Sequence, residues 1–95
     1  MFFVTLKFSA NMAAAMTLMA EHNAWIQRGV DEGVFHAVGS LADGTGGAIV
    51  AAGCSESELN ARLAEDPFIA EDVVTPEVTA FTPNLTSDAL AFLLN

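Results

Sequence analysis

The chain has 95 residues, 53% of them hydrophobic, and sets three Lys and Arg against twelve Asp and Glu for a net charge of −9. That length suits one domain with a modest core and no disulfide framework. So acidic a chain repels polyanions, which argues against nucleic acid as a partner, and no stretch approaches the ~18 apolar residues a membrane helix needs.

Phe2-Phe3-Val4-Thr5-Leu6-Lys7-Phe8 is aromatic and β-branched and alternates at its far end, which predicts a first strand over 2–8. With no basic region before it and no small-residue cleavage site after it, this run does not read as a signal peptide. Ser9 or Asn11 can cap a helix beyond this strand; residues 12–32 hold no proline and end at Gly33, the pattern of a long helix. A second strand reads over 34–41, and Ala42-Asp43-Gly44-Thr45-Gly46-Gly47 carries enough glycine to turn the chain into a third over 48–52. Ser55-Glu56-Ser57-Glu58 has the spacing of a capping box, continued as a helix by 59–65 and stopped at Asp66-Pro67. After a short turn over 68–72, residues 73–81 predict a fourth strand, with Pro76 implying an edge or a bulge.

The order βαββαβ suits a four-stranded antiparallel sheet with both helices on one face, the α+β ferredoxin-like arrangement. Residues 86–94 add a short, apolar C-terminal helix to a core over 1–82, giving a single domain over 1–95. The other sheet face would be bare, and with a mean hydropathy of +0.44 the simplest cover is a second copy, so a homodimer or higher homo-oligomer is expected. Cys54 is the only cysteine, which fits a reducing, cytoplasmic setting and reads as a small buried residue at a strand end.

At ~100° per residue around the long helix, Thr17, Glu21, Ala24, Arg28 and Asp31 form the wet side. The opposite stripe is Ala15, Leu18, Met19, His22, Trp25, Ile26 and Gly29. His22 therefore points toward the sheet, where its N–H needs a partner and desolvation favours the neutral ring that can act as a base. Asp66 is the natural partner, either as a plain helix cap or as an acceptor that fixes the tautomer of His22. Trp25, one turn further along the stripe, either packs in the core or walls an aromatic-sized pocket. By alternation Ser40 shares a face with Val34, His36 and Val38, and is a substrate hydrogen-bond donor if that face lines the pocket. Lys7 is a sheet-edge charge or the site's one cation. His36 has no second His or Cys at ligand spacing, so no metal site is expected.

Glu21-His22-Asn23-Ala24-Trp25-Ile26, Asp31-Glu32-Gly33, Val38-Gly39-Ser40-Leu41 and Glu65-Asp66-Pro67-Phe68 occur in an order and spacing that resemble the YCII-related (YciI-like) family. The resemblance implies a dimeric α+β barrel built on the ferredoxin-like fold, with an active-site His and Asp that map onto His22 and Asp66. Met19 departs from it, standing where family members often carry an arginine. Relatives include cofactor-free dehydrochlorinases, and the related muconolactone isomerases share the fold.

The expected activity is that of a cofactor-free lyase or isomerase acting on a small cyclic or aromatic molecule. His22 is the general base or acid, Asp66 orients it, and Ser40 and Trp25 bind substrate. The alternatives are a ligand-binding accessory dimer without catalysis and a cofactor-independent monooxygenase of the same fold.

Overall fold

A computed structural model of the protein describes residues 1–94. Four strands, β1 (Phe2–Phe8), β2 (Phe35–Ser40), β3 (Gly46–Ala51) and β4 (Val74–Ala80), form one antiparallel sheet in the order β2-β3-β1-β4. The helices α1 (Ala15–Asp31), α2 (Glu56–Leu63) and α3 (Pro67–Ala70) complete the βαββαβ plan. It is the ferredoxin-like α+β fold expected from the element order.

The two faces of the sheet differ as its alternation requires. Phe2, Val4 and Leu6 of β1, with Ile49 and Ala51 of β3, point at the helices and are buried with Trp25, Leu59, Leu63 and Phe68. Phe3, Thr5 and Lys7 point the other way, across from Val50, Ala48 and Gly46. Half-exposed Phe3 lies against Phe81, with ring centroids 5.6 Å apart.

Several local devices behave as their residues dictate. Ser55 and Glu58 close the capping box, Glu58 N–H donating to Ser55 Oγ at 3.1 Å and Ser55 N–H to Glu58 Oε1 at 2.9 Å. That contact holds the Glu58 carboxyl below its ordinary range. Gly29 lets α1 approach β2, because a Cβ there would stand 2.1 Å from the Phe35 ring.

Elsewhere the boundaries move for tertiary reasons. The α-helix starts at Ala15, and Met12–Ala14 is a 3-10 turn. Ser9 and Asn11 cap neither element; Ser9 Oγ donates to Asp72 and Asn11 Nδ2 to the carbonyl of Glu71, tying the start of the helix to the loop after α3. Gly46 and Gly47 belong to β3 rather than to the turn. They pair with Lys7 and Leu6, and at Gly46 any side chain would strike the Leu6 carbonyl. The C-terminal helix is a 3-10 segment, Asp88–Leu94, whose Phe92 ring lies 4.9 Å from that of His36.

Candidate active site

His22 is carried by the buried face of α1, and Asp66 is the N-cap of α3. Asp66 holds that place because Pro67, with its fixed φ and no N–H to satisfy, starts the helix, leaving the next amide to be capped by the carboxylate. Phe68 N–H donates to Asp66 Oδ1 at 3.0 Å. The same oxygen lies 2.8 Å from His22 Nδ1, bridging residues 44 apart in sequence. A carboxylate oxygen accepts, so Nδ1 is assigned as the donor, leaving Nε2 as the ring nitrogen that Asp66 does not engage. Asp66 is fully buried and His22 is 8% exposed. Asp66 Oδ2 is buried with no partner among the described residues, so one oxygen of this carboxylate carries both contacts.

The imidazole is further fixed by Phe68, whose ring stacks on it at 3.8 Å between centroids and 4° between planes. Sequence reasoning gave Phe68 no role. The signal was present in Asp66-Pro67-Phe68, since an N-cap at Asp66 brings the Phe68 amide to the carboxylate that His22 also bonds.

His22 lies in the wall of an open cavity of about 290 Å³. That is at the small end for ligand pockets and is enough for a single substituted ring. Leu6, Phe8, Ile26, Val38 and Val74 supply its apolar wall, and the side chains of His22, Asn23 and Ser40 its polar points. Glycines at positions 39, 46 and 47 keep one side of it free of side chains.

Ser40 reaches this cavity by a route that simple alternation misses. The pairing of β2 with β3 shifts register between Phe35 and Ala37, so Phe35 and Val38 both pair with helix-facing residues, Ala51 and Ile49. The bulge breaks the shared face of His36 and Ser40: Ser40 pairs with Gly47 beside the cavity, while His36 is exposed at the bulge near Phe92. Trp25 is also relocated. It is 1% exposed, donates from Nε1 to the Arg62 carbonyl at 2.9 Å and meets the Phe35 ring edge-on. It packs behind His22 instead of walling the cavity. Lys7 stands on the far face of the sheet, where Thr75 and Gly46 are its strand neighbours. No group of three metal-ligating side chains occurs among the described residues.

An antiparallel βαββαβ sheet with helices on one face, carrying a buried His–Asp pair at a small cavity, defines an α+β protein of ferredoxin-like fold. The sequence profile of the YCII-related domain matches residues 1–82, and the chain belongs to that family. Among solved structures it is similar to 5-chloro-2-hydroxyhydroquinone dehydrochlorinase (TftG) from Burkholderia phenoliruptrix AC1100, determined in complex with 2,5-dihydroxybenzoquinone. The likeness has a TM-score of 0.68 at 16% identity and covers 85% of this chain and 93% of that one, which establishes the shared fold. No curated protein matches the chain. No helix among the described residues is long and apolar enough to cross a membrane.

Proposed function

We propose that this protein is a cofactor-free lyase or isomerase, performing dehydrohalogenation or lactone isomerisation on a small cyclic or aromatic molecule. The observation that carries the reading is the 2.8 Å contact of His22 Nδ1 with buried Asp66 at the wall of an apolar cavity. Asp66 accepts from Nδ1–H and orients the ring, so that Nε2 is the nitrogen offered to substrate as general base. In an elimination, Nε2 takes a proton from the substrate, the released electron pair forms the new double bond, and halide leaves with the electrons of its own bond. In an isomerisation the same nitrogen returns the proton at another carbon. Ser40, which also lines the cavity, hydrogen-bonds a substrate oxygen.

The reading includes a homodimer. Its support is the open sheet face, where Phe3 and Phe81 leave about half of their surface uncovered beside Val50 and Ala48. Sedimentation at micromolar concentration should give twice the mass of the chain, and a monomer there would remove this part.

The catalytic part is tested with His22→Ala, Asp66→Asn and the double variant. Each is assayed for halide release from chlorinated hydroxyhydroquinones, the substrate type in the structural relative's name, and for absorbance change with unsaturated lactones. His22→Ala should lower turnover by about 10²-fold or more, the usual worth of general base catalysis. Asp66→Asn should also lose rate, and the double variant should be little worse than His22→Ala because the two residues act as one unit. Ligand binding should survive better than turnover. Full turnover by folded His22→Ala would end the proposal.

A further inference from the structure

The chain has three basic side chains, Lys7, Arg28 and Arg62, and the cavity wall contains none of them. Arg62 bonds Glu32 at 2.8 Å and leans over the Phe35 ring. Arg28 is exposed near the end of α1, and Lys7 alternates away from Leu6 and Phe8, which do line the cavity. The polar residues lining the cavity are Asn23 with a neutral amide, Ser40 with a hydroxyl and His22 with an imidazole. The carboxylate behind them belongs to Asp66, and its Oδ2 is buried without a hydrogen-bond donor.

A carboxylate entering this space would surrender its water to an apolar wall and meet no Lys or Arg among the lining residues, within a chain of net charge −9. A ring carrying hydroxyl or carbonyl groups loses little by comparison, since Ser40 and Asn23 each offer a donor and an acceptor. Met19 completes the arrangement. It lies one helical turn before His22, lines the cavity, and is 41% exposed at its rim.

Resting on the reading of this cavity as the substrate site, we propose that it takes uncharged rings bearing hydroxyl or carbonyl groups and rejects carboxylated ones. Met19 leaves the rim without the cation that a carboxylate needs. Within the two reactions above, the inference favours neutral phenol- or quinone-type substrates over carboxylated lactones.

The test uses benzamide and benzoate, which match in shape and differ in charge, titrated into the isotope-labelled protein while the amide signals of Asn23 and Ser40 are followed at pH 7 and low salt. Benzamide should shift both signals and bind at least ~10-fold more tightly than benzoate, a gap of about 1.4 kcal/mol. Met19→Arg, at a helical position open enough to take a long side chain, should improve benzoate binding several-fold, with the dispersion of its amide spectrum reporting that the variant is folded. Equal or tighter binding of benzoate to the native chain overturns the charge selectivity and leaves the cavity reading standing. No response of Asn23 or Ser40 to either probe removes the cavity reading and this inference with it. An unchanged benzoate affinity in folded Met19→Arg overturns the role of Met19.

Discussion

The chain's two histidines stand in unlike surroundings, although each has an aromatic ring beside it. His22 has Phe68 stacked flat at 3.8 Å and a fully buried carboxylate at 2.8 Å. His36 has Phe92 tilted by 44° at 4.9 Å, sits exposed at the β2 bulge, and takes part in no ion pair among the described residues. The aromatic neighbour is common to both; the carboxylate and the flat stacking are not. A ring held by a bond in its plane and a stack on its face has one orientation, so its second nitrogen points at one place. A ring with one tilted neighbour at the surface is free to rotate. On the proposed reading, this preorganisation is what suits His22, and not His36, to act as a base.

The contrast is broken most severely at Asp66. Asp66→Ala removes the cap on Phe68 N–H, typically worth ~1 kcal/mol, and leaves a buried Nδ1–H without an acceptor, a further ~1–3 kcal/mol. The expected loss is about 2–4 kcal/mol, which lowers the melting temperature by roughly 10–25 °C in a domain of this size. Phe68→Leu, which keeps bulk but loses the flat stack, should cost about 1–2 kcal/mol. His36→Ala should stay within about 0.5 kcal/mol, as for exposed positions generally. Thermal denaturation of the three variants ranks them, and a His36→Ala loss as large as that of Asp66→Ala would erase the distinction.

The range of each interaction along the chain decides how much of the fold and site is legible in the sequence. The Ser55–Glu58 box is written within four residues and forms where its spacing puts it, while Asp66 takes the cap position and starts a helix over Pro67–Ala70 where the sequence predicts a turn over 68–72. The inward face of α1 follows from its periodicity, and the buried His22, Trp25 and Gly29 lie on the expected stripe. The β2 bulge is not legible, because a register shift depends on how Phe35 packs under Trp25 and Gly29, a contact across elements. It moves Ser40 and His36 to different surroundings. The strand pairing of Gly46 and Gly47 is hidden for the opposite reason: glycine signals a turn locally, while a close approach to the Leu6 carbonyl is visible only once β1 lies alongside. The flat stack of Phe68 on His22 likewise exists only after α1 and α3 meet. Trp25 shows that a shared stripe does not mean a shared site, since its indole is turned to the Arg62 carbonyl.

The smallest expected effect concerns the second cavity, of about 440 Å³, where His36 and Cys54 both line the wall beside Phe92. Were His36 a working base, it would draw the proton from Cys54 and leave a reactive thiolate at neutral pH. The electrostatics run the other way. Partial burial pushes the Cys54 thiol up, the Glu58 carboxylate pushes it further, and Arg62 and the chain's N-terminal amine oppose them only weakly. A raised value means that Cys54 stays protonated through neutral pH and ionises only at a pH above the range of a free thiol. Iodoacetamide should therefore alkylate Cys54 several-fold more slowly than it alkylates free cysteine at pH 7.5, and the rate should keep climbing with pH after that of free cysteine has levelled off. His36→Ala should leave this rate and its pH dependence unchanged, since the imidazole is not among the groups that set the thiol's ionisation. Fast labelling at neutral pH that disappears in His36→Ala would reveal a second activated pair, and the contrast between the two histidines would then lie in which proton each one takes.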